Sequence, residues 1–220
     1  MQAPEERHAV ERNLDFAEAL GCGRGPVEFD LTTTPQDEHA VELLVEPLMD
    51  EPFAVLMPGT NWATKRWPAE RFAMLAHRLA SECGLRVVVA GADDAREAAE
   101  QIDGLNLVGR TRIRQLVSLL RRASLVVSND SGPMHLAAAL GRPLVAPFGP
   151  TSAVRTGPFG RQTGVVRLDI VCSPCFKRNC VHQTCMASLT PDVIFERCIA
   201  AMEQERSVVS SVTQHALVSA

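Results

Sequence analysis

The chain has 220 residues, 22 of them basic and 26 acidic, for a net charge of −4. Apolar residues make up 46% and charged residues 22%, the mix of a folded globular chain, at a length that suits one full domain with an appendage or two small domains. An acidic balance without a block of like charge argues against a nucleic-acid partner, which needs a basic surface. No apolar run approaches the roughly 18–20 residues of a membrane-spanning helix. The polar start, Met1-Gln-Ala-Pro-Glu-Glu-Arg7, lacks an apolar signal core, so a cytoplasmic location is expected.

In chain order, Val10, Leu14, Ala17 and Leu20 share one face of a predicted helix over 7–20. Gly21 to Pro26 breaks the chain, and Val27, Phe29 and Leu31 alternate as in a short half-buried strand. Val41, Leu44, Val45 and Leu48 return to the helical period, limited by Pro47. Residues 1–52 read as a connector with too little apolar surface for a core of their own.

From residue 53 the pattern is regular. Apolar runs fall at 53–57, 85–90, 105–108, 125–127, 144–148 and 165–170, and helical periods separate the first five. Strands alternating with helices of about 10–15 residues predict an α/β fold, a Rossmann-like doubly wound parallel sheet. It is expected over 53–205. A last helix is expected from Thr190-Pro191-Asp192, which supplies an N-cap, a proline at the first position and an early acid. It turns Ile194, Cys198, Ala201 and Met202 inward, and residues 206–220 are expected to form a flexible tail.

Open α/β sheets bind ligands at the carboxyl ends of their strands, and two such ends stand out. After the 53–57 strand comes Pro58-Gly-Thr-Asn-Trp-Ala-Thr-Lys-Arg-Trp-Pro68, rich in hydroxyl, amide and cationic groups. It reads as an anion-binding loop, or as a polar loop anchored by Trp67. After the 125–128 strand comes Ser128-Asn-Asp-Ser-Gly-Pro-Met-His135, in which Ser131 or Asp130 caps a new helix. Free N–H groups and the helix dipole would then face the sheet's mouth and favour a phosphate. Asp130 would oppose that charge and suits sugar hydroxyls better. The alternative for this turn is a good helix cap beside a surface histidine.

Together the two loops resemble glycosyltransferase family 9, the ADP-heptose:lipopolysaccharide heptosyltransferases. Val108-Gly-Arg-Thr111, Phe148-Gly-Pro-Thr151 and Thr156-Gly-Pro158 match as well, and Cys172-Ser-Pro-Cys-Phe-Lys-Arg-Asn-Cys180 looks most like the heptosyltransferase II branch. The resemblance covers about residues 53–203. Where the family commonly has Pro-Gly-Ala and a tyrosine, this chain has Gly59-Thr60-Asn61-Trp62.

The resemblance implies the nucleotide-sugar-binding, C-terminal half of a two-domain GT-B enzyme, with ADP-heptose as donor and the lipid A-core oligosaccharide as acceptor. It implies work at the cytoplasmic face of the inner membrane and no cofactor. Lys65 would neutralise the donor diphosphate in place of a divalent metal, with hydrogen bonds from Thr60 and Asn61. Asp130, Ser131, Gly132 and His135 would hold heptose and diphosphate, and Thr111 would sit against the adenosine. Such enzymes invert at the anomeric carbon, using a carboxylate base on the other domain, so no catalytic base is expected here. The 7–20 helix would be the last element of that domain. The alternative is a module that binds ADP-sugars without turning them over.

Four of the seven cysteines, 172, 175, 180 and 185, have the spacing Cys-x2-Cys-x4-Cys-x4-Cys. A tetrahedral zinc site, reduced thiols and a redox pair all remain open for them, and a zinc-ribbon interaction protein would be a third function. Cys22, Cys83 and Cys198 read as small packing residues. His8, His39, His77 and His215 read as surface histidines without a role.

Overall fold

A computed structural model describes residues 6–218, with side chains to residue 207. The strands are β1 Phe53–Met57, β2 Arg86–Val89, β3 Leu105–Asn106, β4 Leu125–Ser128, β5 Leu144–Phe148 and β6 Val165–Arg167. The helices are α1 Ala9–Ala19, α2 Pro35–Val45, α3 Ala69–Cys83, α4 Arg96–Ala99, α5 Ile113–Arg122, α6 Gly132–Ala139, α7 Ala153–Thr156, α8 Thr184–Ala187 and α9 Pro191–Val218. The strands pair in parallel in the order β3-β2-β1-β4-β5-β6, with the first strand at the centre and the order reversing beside it. This is the expected doubly wound sheet, and its switch point lies between β1 and β4.

The apolar runs are continuous because both faces of the sheet are covered. Along β1, Ala54 and Leu56 enter one core layer with Phe72, Leu75 and Leu79 of α3 and Ile194 and Cys198 of α9. Phe53, Val55 and Met57 enter the other, with Leu119 and Leu120 of α5 and Met134 of α6. Each of the large aliphatic and aromatic side chains among these contributes roughly 1.5–3 kcal/mol by leaving water. The α3 stripe at 72, 75, 76 and 79 is the amphipathic pattern read from the sequence. Gly84 ends that helix at φ +64°, where its N–H reaches the Leu79 carbonyl.

The stretch expected as a connector contributes to this core. Val41 and Leu48 are buried in the second layer. Thr34 and Asp37 form a reciprocal capping box at the start of α2, with Pro35 at its first position. One turn on, the Glu38 carboxylate accepts from Ser118 Oγ at 2.6 Å, Thr33 Oγ1 at 2.5 Å and Arg122 Nη2 at 2.8 Å. These bonds, that from Ser118 foremost, lower its pKa from 4.5 to about 2. The stability this supplies is complete above pH about 4.5 and is lost as pH falls toward 2. With solvent screening discounted it is worth about 1–2 kcal/mol. Unfolding free energies from urea titrations are expected to be lower at pH 3 than at pH 6, with part of this contribution lost, and Glu38→Gln is expected to reduce that difference.

Several expectations are corrected. Val27, Phe29 and Leu31 form no strand, because no strand lies beside them to complete a ladder. Phe29 and Leu31 line an apolar cavity with Phe159 and Leu136 instead. Cys22 is exposed and packs nothing, whereas Cys198 is fully buried as expected. The backbone of α9 continues through the stretch expected as a loose tail, while residues 219–220 and the side chain of His215 lie outside the described residues. His8 has a structural part rather than none. Its Nδ1 accepts from Val10 N at 3.1 Å, its Nε2 lies 2.9 Å from the Gly157 carbonyl, and its ring packs on Phe159.

Candidate donor-binding site

Both loops singled out from the sequence leave the carboxyl edge of the sheet from its two central strands, β1 and β4. Buried Asn129 joins them: its Nδ2 donates to Pro58 O at 2.7 Å and its Oδ1 accepts from Trp67 N at 3.1 Å. Trp67, 2% exposed, fastens the far end of the first loop. Its indole N–H donates to Leu189 O at 2.9 Å and its ring meets Phe72 edge-on at 4.9 Å. Trp67 is thus the packing anchor that the blander reading proposed. Between these fixed ends Gly59 runs so close to Asp94 that a Cβ would lie 2.7 Å from its Oδ1, so a larger residue would have to push that side chain aside.

Thr60 is buried, and its hydroxyl donates to the Asp130 carbonyl at 3.2 Å. Its proton therefore ties the two loops together. Asn61 is exposed. Lys65 ends a single 3-10 turn, Ala63–Lys65. Its Nζ lies 2.8 Å from Asp130 Oδ2, and the same oxygen accepts from Thr151 Oγ1 at 2.5 Å. Asp130 is 5% exposed and Lys65 16%, so this is a nearly buried ion pair. The sequence reading had Asp130 facing sugar hydroxyls and Lys65 facing phosphate; here the two groups neutralise each other.

Ser131 occupies the N-cap of α6, but its side chain makes no capping bond, contrary to expectation. Its hydroxyl lies 3.4 Å from Ser128 Oγ. The N–H of Gly132, at the first helical position, has no carbonyl one turn back to accept it, and open space lies before its Cα. His135, one turn on, is exposed. Desolvation pulls its pKa below the usual value, against the opposing pull of Asp130, so the ring is neutral at pH 7.

Thr111 lines a cavity of about 560 Å³ with Met57, Gly91, Ile113, Gly132 and Pro133. The cavity runs from the ends of β1 and β2 to the start of α6, and is large enough for a nucleoside. A cavity of about 610 Å³ opens at the opposite end of the sheet, beside Arg86 and Gly104. There the strands present their amino ends, away from the face that binds ligands in open α/β sheets.

The cysteine segment packs against this site. Cys175 N and Phe176 N both donate to Pro150 O, at 3.0 and 2.7 Å, and Ser173 Oγ donates to Gly149 O at 2.6 Å. Thr64 Oγ1 donates to Lys177 O at 2.9 Å and so ties the segment to the first loop. The cysteines are free thiols. Among the described residues no three His, Cys, Asp or Glu side chains are grouped to hold a metal. Backbone N–H groups of Gln183 and His182 lower the pKa of exposed Cys180, whereas burial raises that of Cys185.

Sheet order, switch point and polar mouth define a Rossmann-like α/β domain. Residues 1–186 match glycosyltransferase family 9 (heptosyltransferase), and the chain belongs to that family. It is 34% identical over 172 residues to lipopolysaccharide heptosyltransferase 2 of Escherichia coli K12, covering 72% of this chain and 49% of that protein. In structure it resembles E. coli ADP-heptose lipopolysaccharide heptosyltransferase II, with a TM-score of 0.67 and 29% identity over 86% of this chain and 57% of that one. E. coli heptosyltransferase WaaC with ADP-2-deoxy-2-fluoro heptose gives 0.58 and 25%, covering 89% and 56%. The chain spans about half the length of the curated relatives it matches. Among the described residues no helix is long and apolar enough to cross a membrane.

Asn129, Thr151 and the Trp62 contacts were not assigned roles from the sequence. Asn129 carried a signal, as a polar residue closing an apolar strand run. Thr151 carried none beyond its place in a family motif, because its partner is 21 residues away.

Proposed function

We propose that this chain is the donor-binding domain of an inverting heptosyltransferase, which moves L-glycero-D-manno-heptose from ADP-heptose to the lipopolysaccharide inner core. The observation that carries this reading is the uncapped start of α6, with Lys65 beside it, at one end of a nucleoside-sized cavity. Adenosine occupies the cavity beside Thr111. The diphosphate lies over Gly132, where the helix dipole is worth about 0.3–1 kcal/mol to an anion. Ser131 and Asn61 donate to it, and Lys65 stabilises the leaving group. Asp130 and neutral His135 take the heptose hydroxyls. The acceptor is the lipid A-core oligosaccharide, met at the cytoplasmic face of the inner membrane. WaaC was captured with an ADP-heptose analogue, which supports the same ligand class here.

Calorimetric titration of ADP tests the reading. Binding is expected, and with equal affinity in EDTA, because lysine and the helix start meet the diphosphate without a divalent ion. An absence of ADP binding would reject the donor assignment. Binding that disappears in EDTA while circular dichroism stays unchanged would reject its metal-free form.

A further inference from the structure

We infer that Arg178, which lies outside both nucleotide-site loops, is a second phosphate-binding cation of this site. The inference rests on the donor reading above.

The argument begins with charge. Lys65 already faces the Asp130 carboxylate at 2.8 Å, so the pair together offers an incoming diphosphate little net positive charge. The start of α6 adds the equivalent of about half a charge. A nucleoside diphosphate carries at least two negative charges, so the groups assigned so far leave the site short of cations.

Arg178 is a cation close to Lys65. Its Cζ lies 4.7 Å from the centroid of the Trp62 ring, and Lys65 Nζ lies 4.7 Å from the same centroid. The two cations are therefore within twice that distance of each other, inside the roughly 10 Å over which 0.1 M salt screens charge. Two like charges this close repel, and an anion bound beside them relieves the repulsion. Among the described residues Arg178 has no carboxylate partner, so its donors are free for a ligand.

The guanidinium is also held in place. The Pro150 carbonyl fixes the chain at Cys175 and Phe176, and Thr64 fixes it at Lys177, the residue before Arg178. Stacking on the Trp62 indole adds to that hold. Arg178 and Thr64 line a cavity of about 350 Å³ between the two segments. A planar guanidinium presents paired donors that match two phosphate oxygens, which an ammonium cannot do. Trp62 thereby acquires a purpose: its indole is the best of the aromatic faces for a cation.

The test is calorimetry and NMR titration of the 220-residue chain, wild type and Arg178→Gln, with ADP and with adenosine. Adenosine fills the nucleoside cavity but has no phosphate. Arg178→Gln is expected to weaken ADP binding about tenfold or more, the worth of a hydrogen bond to a charged group, and to leave adenosine affinity unchanged, with only a small shift of the urea midpoint. Trp62→Leu removes the support of the guanidinium and is expected to weaken ADP by a smaller factor. Equal ADP affinity in wild type and Arg178→Gln overturns the inference while leaving the donor reading intact. An equal loss for ADP and adenosine also overturns it, since that outcome marks a structural role. Failure of the wild-type chain to bind ADP removes the donor reading and this inference together.

Discussion

Lys65→Ala is expected to lower stability by about 2–3 kcal/mol as well as to weaken ADP binding at least tenfold. The stability loss follows from Asp130, which is 5% exposed and meets Lys65 at 2.8 Å. Removing one partner of a fully buried pair costs about 3–5 kcal/mol, because the other charge stays buried without compensation. The cost is smaller here because Lys65 is partly exposed and Thr151 still donates to the carboxylate. Asp130→Asn in the same chain removes the stranded charge, so the double variant is expected to recover most of the stability but none of the ADP affinity. Urea unfolding of the four proteins, read as a double-mutant cycle, measures the coupling. A Lys65→Ala chain as stable as wild type would show that the pair does not form in solution. The cycle separates two uses of one lysine: structural without donor, electrostatic with it. A diphosphate that draws Lys65 away from Asp130 leaves that carboxylate in need of new donors, which the heptose hydroxyls supply.

The sheet was legible because its signal is local. Each strand is a short apolar run, and α3 and α5 between them are periodic, so a parallel, doubly wound sheet with right-handed crossovers follows, though not its strand order. The two ligand loops were legible as the polar segments after apolar runs. What the sequence hid is the pairing across the mouth. Asp130 is 65 residues from Lys65, and nothing in either loop reveals that they meet; likewise Arg178 and Trp62 are brought onto one another only by the bonds at Thr64 and Pro150. Val27 to Leu31 failed for the opposite reason. Alternation is a local signal, but a strand needs a neighbour, and Phe29 satisfies its apolar side chain against Phe159 instead.

Purified alone, this chain is expected to transfer heptose slowly or not at all. Inverting transfer needs an acceptor hydroxyl in line with the anomeric carbon, and a base within hydrogen-bond reach of its proton. Asp130 is the carboxylate that joins both central loops. Its Oδ2 is committed to Lys65 Nζ and Thr151 Oγ1, at 2.8 and 2.5 Å. Both contacts occupy the oxygen that would have to accept the acceptor's proton. Asp93, which lines the cavity beside Thr111, lies at its nucleoside end and pairs with Arg96 at 2.6 Å. Losing general-base assistance removes a factor of about 10²–10⁴, and losing acceptor positioning removes more. Against an ordinary enzyme rate of about 10 s⁻¹, turnover below roughly 0.1 s⁻¹ is expected with ADP-heptose and heptose-deficient lipopolysaccharide. Turnover on the order of 1 s⁻¹ would place the base within these 220 residues. Asp130→Asn would then decide its identity: a loss of turnover with ADP affinity unchanged would convict Asp130, and it would show that the donor frees it from Lys65 before the acceptor arrives.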